Sequence, residues 1–290
     1  MISRLGLGTA QLGMPYGIAG TGAAPEAPAA AAVVRRARAA GMDMLDTAIA
    51  YGASESVLGG IGVDSWRVVT KLPAVPAGCD EVEHWVEESV RGSLERLRIP
   101  RLHGLLLHRS ADLFHEQGAR LHAALLALKA RGIVRKIGVS IYEPRELSEA
   151  LSRFDLDLVQ APFNVFDRRL KTSGWLARLH GRGVEVHARS AFLQGLLLMP
   201  AERRPPRFAR WSSLWVAWHA WLQERGVDSL RACLGFALAH EEIDRVIVGV
   251  DHVQQLTEIL DASRGPPVVP PENLSSEDLD LINPTRWKAS

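Results

Sequence analysis

Short apolar runs alternate with longer stretches of helical period along the whole chain, and this alternation constrains the fold more than any single motif does. The runs read as strands over Ile2–Leu7, Met42–Leu45, Trp66–Thr70, Leu102–Leu107, Val134–Ser140, Leu156–Gln160, Val184–Ser190 and Arg245–Val248. A Gly-rich loop, Gly8 to Gly22, follows the first of them. Helices are expected over Ala27–Ala40, Ser54–Leu58, Glu81–Leu97, Gln117–Ala130, from Pro144 to Arg153, over Leu170–His180, across Trp211–His240 with a break near Gly226, and over His252–Ala262. Val82, Val86, Val90, Leu94 and Leu97 recur at helical spacing and form one apolar stripe. Pro28 suits a first turn and Gly41 a stop, while Ser54 and Asp228 are placed to cap.

Strands separated by helices pair in parallel, and eight such units in 290 residues fit an α/β fold closed as a (β/α)8 TIM barrel, with residues 1–290 as a single domain. A hydrophobic content of 47% supplies a core of that size. The competing architecture is a doubly wound open sheet, whose dinucleotide fingerprint needs G-x-G-x-x-G after the first strand. Gly6, Gly8 and Gly13 do not have that spacing.

The barrel also explains where the polar residues fall. Asp46, Lys71, His108, Ser140, Gln160 and Ser190 all stand at the ends of apolar runs, and in a barrel the carboxyl ends of the strands converge on one mouth. Taken alone, Asp46 and Tyr51 in MDMLDTAIAYG read as ordinary turn chemistry, a cap and a surface phenol. Beside Lys71 in RVVTK and His108 in HGLLLH they read as a reacting set. An ammonium next to a phenol favours the phenolate and lowers its pKa from near 10, and a carboxylate holds the ammonium charged. Tyr51, Lys71 and Asp46 therefore make a general acid tuned toward working pH, with His108 orienting the oxygen that is protonated. Protonating a carbonyl oxygen implies that a nicotinamide supplies the hydride, because no side chain can.

Other classes find less support. A net charge of +1 offers nothing to attract nucleic acid or an anionic membrane. The two cysteines, Cys79 and Cys233, suit neither a disulfide framework nor a zinc site, and His84, His103, His115, His122, His180, His219 and His240 lack metal-ligand spacing. Neither a secretory leader nor an apolar run long enough to span a bilayer is evident, so a cytoplasmic protein with free thiols is expected. Trp211, Trp215, Trp218 and Trp221 share helical spacing and read as a packing face. The basic segment Ala201 to Trp211 reads as a mobile loop over the mouth or a solvated connection, and the tail from Gly265 as partly ordered packing or a substrate-side loop.

The segments LGLGTAQLG, LDTAIAYG, VVTKL, LLLH, IGVS, LVQAPFN, HARSAFLQGLL and VIVGVDHVQQL together resemble the aldo-keto reductases over nearly the whole chain. The resemblance implies a barrel that binds NADP or NAD across its mouth and reduces a small-molecule carbonyl, or oxidises the corresponding alcohol. It assigns catalysis to Asp46, Tyr51, Lys71 and His108, and cofactor contacts to Gly8, Thr9, Asp46, Ser140, Gln160, Arg189, Ser190, Gly249, Asp251 and Gln255. No nucleic-acid, membrane or metal partner is implied, and the oligomeric state is not assigned. The opening segments are similar to those of members linked with sugars, which points to a sugar-like substrate.

Several positions depart from the family pattern. Ile141 replaces an asparagine that often follows the serine, Arg189 stands where an aromatic often covers the nicotinamide, and Ile259 where an asparagine often contacts adenine. Gln255 stands where NADP-preferring relatives place an arginine for the 2′-phosphate, with Asp251 adding negative charge nearby and His252 a substitute partner. NAD, weak binding, or basic residues elsewhere are the three consequences. Two other functions stay open: a cofactor-binding or diverged barrel with little turnover, and a lyase using Lys71 as a Schiff-base amine.

Overall fold

The computed structural model describes residues 2–18 and 23–287; Met1, the end of the Gly8–Gly22 loop at 19–22 and the last three residues of the tail lie outside them. Eight parallel strands close a barrel in sequence order: β1 Leu5–Gly8, β2 Met44–Asp46, β3 Arg67–Leu72, β4 Leu102–Leu107, β5 Val134–Ser140, β6 Leu158–Pro162, β7 Glu185–Arg189 and β8 Arg245–Gly249. Pairing of Leu5 with Val246 and Gly8 with Gly249 joins the first strand to the last.

Several boundaries differ from the sequence reading for local reasons. Ile2–Arg4 is a 3-10 turn ahead of β1, where Arg4 donates to the carbonyls of Leu238 (2.8 Å), His240 (2.6 Å) and Ile243 (2.6 Å). β3 continues past Thr70, so Lys71 is an interior residue of its strand, paired with Leu106. The helix expected over 170–180 is two pieces, Arg169–Thr172 and Trp175–Gly181, separated by Gly174 at φ 75°. Ser54 does not cap: it is the first residue of the helix Ser54–Ile61, and its hydroxyl bonds to Thr9. Asp228 does cap, accepting from Arg231 N.

Two apolar layers hold the barrel. Met44, Val69, Leu106, Leu158 and Ile247 fill its centre, and a larger cluster lies between the strands and the outer helices. Room for the central layer comes from small residues. A Cβ on Gly104 would come within 2.9 Å of Leu158 and 3.2 Å of Val69. Below that layer the barrel is plugged by charge, with Glu185 taking bonds from His187 (2.7 Å) and Lys136, and His103 at 3.5 Å. Burial works to raise the Glu185 carboxyl, but these partners pull it well below the ordinary carboxylate range.

The helix Ser212–Arg225 buries Trp215, Trp218 and Trp221, with Trp218 stacked on Trp221 at 5.7 Å, so the tryptophan stripe is a packing face. The tail packs as well: Arg168 binds the carbonyls of Pro270 and Pro271, Leu274, Leu281 and Ile282 are buried, and Trp287 meets Phe208 edge-on at 4.9 Å. Among the described residues, no helix is long and apolar enough to cross a membrane, and no group of three or more His, Cys, Asp or Glu is placed to hold a metal.

Candidate active site

β2 ends at Asp46, and everything around that residue serves to fix it. The Thr9 amide and hydroxyl both donate to the Asp46 carbonyl, at 2.9 and 3.0 Å. The Ser54 hydroxyl then donates to the Thr9 hydroxyl oxygen (2.8 Å), which leaves Thr47 to donate to Ser54 (3.0 Å). This buried hydroxyl chain ties the first turn after β1 to the loop carrying Tyr51. Gly13 lets the two segments touch, since a Cβ there would stand 2.2 Å from Tyr51 O and from Ser54 N.

Both carboxylate oxygens of Asp46 are committed. Oδ2 accepts from Lys71 Nζ at 2.8 Å and Oδ1 from Gln160 Nε2 at 2.7 Å, while Lys71 also donates to Thr47 O at 2.8 Å. Of the two ends of the Gln160 amide only the nitrogen can donate to a carboxylate, so this bond fixes which way the side chain points. Its oxygen, Oε1, is buried without a partner. The Lys71 ammonium lies 4.9 Å from the centre of the Tyr51 ring, and the Tyr51 and His108 rings meet edge-on at 5.7 Å.

Electrostatics at this floor differ from the sequence expectation in one respect. Enclosure raises the Tyr51 phenol above its ordinary value, Asp46 adds to that, and Arg189 opposes it. The expected lowering by Lys71 is absent because Asp46 cancels the ammonium at close range and burial then dominates. Burial likewise lowers Lys71, against the pull of Asp46. His108 is pushed down to about 4, first by burial and then by the charges of Lys71 and Arg189, so at neutral pH it is an uncharged imidazole with one N–H to donate.

A cavity of about 310 Å3 opens above this floor. Of the residues assigned from sequence, Gly8, Thr9, Asp46, Tyr51, Gln160, Arg189, Ser190, Gly249, Asp251 and Gln255 line it; Lys71, His108 and Ser140 do not. Lys71 and Ser140 are buried beneath it, Ser140 paired in register with Gln160. The Thr9 amide and hydroxyl are both consumed by the Asp46 network and its carbonyl accepts from Leu12 N at 3.0 Å, so Thr9 meets the cavity as a fixed wall.

The wall after β7 is unusual backbone. Ser190, Leu193 and Gln194 have φ of 58°, 49° and 53°, held by Asn164 Nδ2 donating to Ser190 O at 3.0 Å. Side chains in that region cost free energy, and clusters of them accompany binding loops. Arg189 closes the same wall: it donates to Ile141 O (2.9 Å) and Ser190 Oγ (3.3 Å) and lies 4.4 Å over the Tyr142 ring. No carboxylate is paired with it among the described residues. At the far end, Asp251 N donates to Gln255 Oε1 (2.7 Å), His252 caps the helix Val253–Ala262, and Glu258 faces the cavity. Ile259 is buried.

Sequence reasoning missed Gln11, Tyr16, Phe192, Gln194 and Glu258, all of which line the cavity. Glu258 had a signal: it lies within two helical turns of Asp251, on a helix expected to begin at the mouth.

The cavity suits a dinucleotide. The unpartnered Gln160 Oε1 is an acceptor for an amide N–H such as a nicotinamide carboxamide, and the left-handed turn at Ser190 shares its cavity, while the Gln11 side chain covers Gly249, where a Cβ would come within 2.5 Å of it. The sequence model of the Aldo/keto reductase family matches residues 4–270. The chain is 25% identical to the oxidoreductase YqkF of Bacillus subtilis over 288 residues, covering 90% of this chain and 87% of that one. It is 29% identical to L-galactose dehydrogenase of Arabidopsis thaliana over 276 residues, covering 89% and 83%. The fold matches the holo form of the aldo-keto reductase AKR11C1 from Bacillus halodurans with a TM-score of 0.75 at 21% identity, over 94% and 92% of the two chains. With a closed eight-stranded barrel, an acid-bearing mouth and a family match over nearly its full length, the chain belongs to the aldo/keto reductase family of NAD(P)H-dependent oxidoreductases.

Proposed function

We propose that Tyr51 is the general acid of a carbonyl reductase that also runs as an alcohol dehydrogenase, with Asp46, Lys71 and His108 as its supporting groups. The carrying observation is that Tyr51 stands over a buried Lys71–Asp46 pair and against a neutral His108, at the floor of a cavity lined by Tyr51 and Asp46. Bound in this cavity, a reduced nicotinamide supplies the hydride. Tyr51 holds its proton through the working range and releases it only to a strongly basic developing alkoxide. His108 donates its single N–H to the same oxygen, and Lys71 limits the charge that builds on the phenol.

Gln160 Oε1 and the Ser190 turn hold the nicotinamide end in this reading, with Ser140 buried behind Gln160, and Gly249, Asp251 and Gln255 the adenosine end. Two carboxylates, Asp251 and Glu258, with Gln255 between them, favour NADH over NADPH, because a 2′-phosphate meets negative charge and no arginine there. Similarity to a plant L-galactose dehydrogenase supports a sugar-like substrate. Without a bilayer-length helix or a paired cysteine among the described residues, a cytoplasmic setting is consistent. The Schiff-base alternative is disfavoured: Lys71 does not line the cavity and spends two of its donors on Asp46 and Thr47.

Replacing Tyr51 by Phe tests the role directly. Turnover with NADH and a panel of aldoses and aldehydes is expected to fall by at least about a hundredfold with cofactor affinity little changed. Undiminished turnover in Tyr51→Phe removes the phenol from the mechanism.

A further inference from the structure

The charges around the cavity floor do not cancel. Lys71 and Asp46 neutralise one another at 2.8 Å, and His108 is uncharged at neutral pH. That leaves Arg189, whose hydrogen bonds go to a carbonyl and a hydroxyl and whose face covers an aromatic ring. None of these partners carries negative charge. Arg189 lines the same cavity as Tyr51 and Asp46, and its charge bears on Tyr51, His108 and Lys71 alike. It shares the cavity wall with Gln160, whose unpartnered oxygen is the acceptor assigned above to a carboxamide.

A nicotinamide ring is cationic when oxidised and neutral when reduced. Taking up two electrons and one proton, as hydride, removes its charge. An uncompensated cation in the wall therefore repels the oxidised ring and leaves the reduced one untouched. We propose that Arg189 is a redox-biasing residue, making the site bind NADH more tightly than NAD+ and so pulling the bound couple toward its reduced form. This rests on the cofactor-binding reading above.

The consequence is directional. With an alcohol and the oxidised cofactor in the site, hydride would leave the carbinol carbon and the hydroxyl proton would pass out through Tyr51 once the phenol had given its own proton to solvent, so Tyr51 is protonated before and after and the net charge lost in the site is the ring cation beside Arg189. Oxidation of the alcohol is thus favoured on the enzyme relative to solution. In the opposite direction the oxidised product is released readily. Arg189 is pinned at Ile141 O and Ser190 Oγ, so its charge cannot swing away when the ring is oxidised.

Titration of NADH and NAD+ separately against the full-length protein tests the proposal, using quenching of the eight tryptophans as the readout. With an effective dielectric of about 20, one nearby unit charge is worth on the order of ten- to a hundredfold in relative affinity. The wild-type ratio of dissociation constants, NAD+ over NADH, is expected to exceed that of Arg189→Met and of Arg189→Gln by this factor, while Arg189→Lys keeps the wild-type ratio. The two neutral variants differ in polarity, so one that folds poorly leaves the other to make the comparison. A ratio unchanged in the neutral variants overturns the proposal, even if both forms bind more weakly. Failure of the wild-type protein to bind either form overturns the cofactor reading beneath it.

Discussion

Gln160 donates its amide to Asp46 Oδ1 at 2.7 Å and thereby leaves its own carbonyl oxygen buried without a hydrogen-bond partner among the described residues. One strand end thus steadies the acid of another across the barrel, and it keeps an unpartnered acceptor on a residue that lines the cavity. Replacing Gln160 by Leu removes a hydrogen bond to a buried charge and is expected to cost about 1.5 to 3 kcal/mol of stability. Urea unfolding measures this, and a stability equal to wild type means that Asp46 does not depend on the bond.

The Lys71–Asp46 pair is buried, and breaking it from one side strands a charge. Lys71→Met is expected to destabilise the fold by about 3 to 5 kcal/mol, most of it the cost of an uncompensated Asp46 carboxylate. The double variant Lys71→Met, Asp46→Asn recovers part of that loss. Strictly additive losses in a double-mutant cycle count against a direct pair.

Much of this arrangement is legible in sequence because strand ends in a barrel have only one place to go. Asp46, Gln160 and Ser190 could be placed at the mouth from their position after apolar runs alone, and the structure puts them on the cavity wall. The state of Tyr51 was not legible. Its neighbours in sequence name the charges but not the burial, and burial decides the direction. Leu193 and Gln194 carry no sign of their left-handed backbone, since glycine is the usual signal and only Gly195 supplies it. The hydroxyl of Ser54 has a local cap as its expected role, whereas a contact 45 residues away in sequence, to Thr9, takes it instead.

His108 gives a pH dependence whose sign follows from its surroundings. Its pKa lies at about 4 in the fold and near 6.5 in the unfolded chain, so between these values the unfolded chain holds a proton that the folded one does not. The stabilisation is complete above pH 6.5 and is lost as pH falls toward 4. His108→Gln should flatten the stability profile across this window, and an NMR titration of the ring should find a midpoint well below 6. A His108 midpoint near 6.5 contradicts the uncharged donor assigned to it.

The adenosine end offers the sharpest change of specificity. Gln255 is held by the Asp251 amide at 2.7 Å and Glu258 faces the same space, so a 2′-phosphate entering there finds two carboxylates and no cation. Gln255→Arg supplies a charge-assisted partner worth roughly 1.5 to 3 kcal/mol, about one to two decades in binding constant. Glu258→Gln removes repulsion without adding a donor, so its effect on NADPH should be smaller and in the same direction. Affinity for NADH should change little in either variant, because the ribose hydroxyl carries no charge. Fluorescence titration of both cofactors separates the outcomes. Selective tightening of NADPH places the 2′ position beside Gln255 and Glu258. Equal shifts for the two cofactors mean that the helix Val253–Ala262 does not face the adenosine, and wild-type NADPH binding more than about a hundredfold tighter than NADH means that the phosphate finds its cation elsewhere.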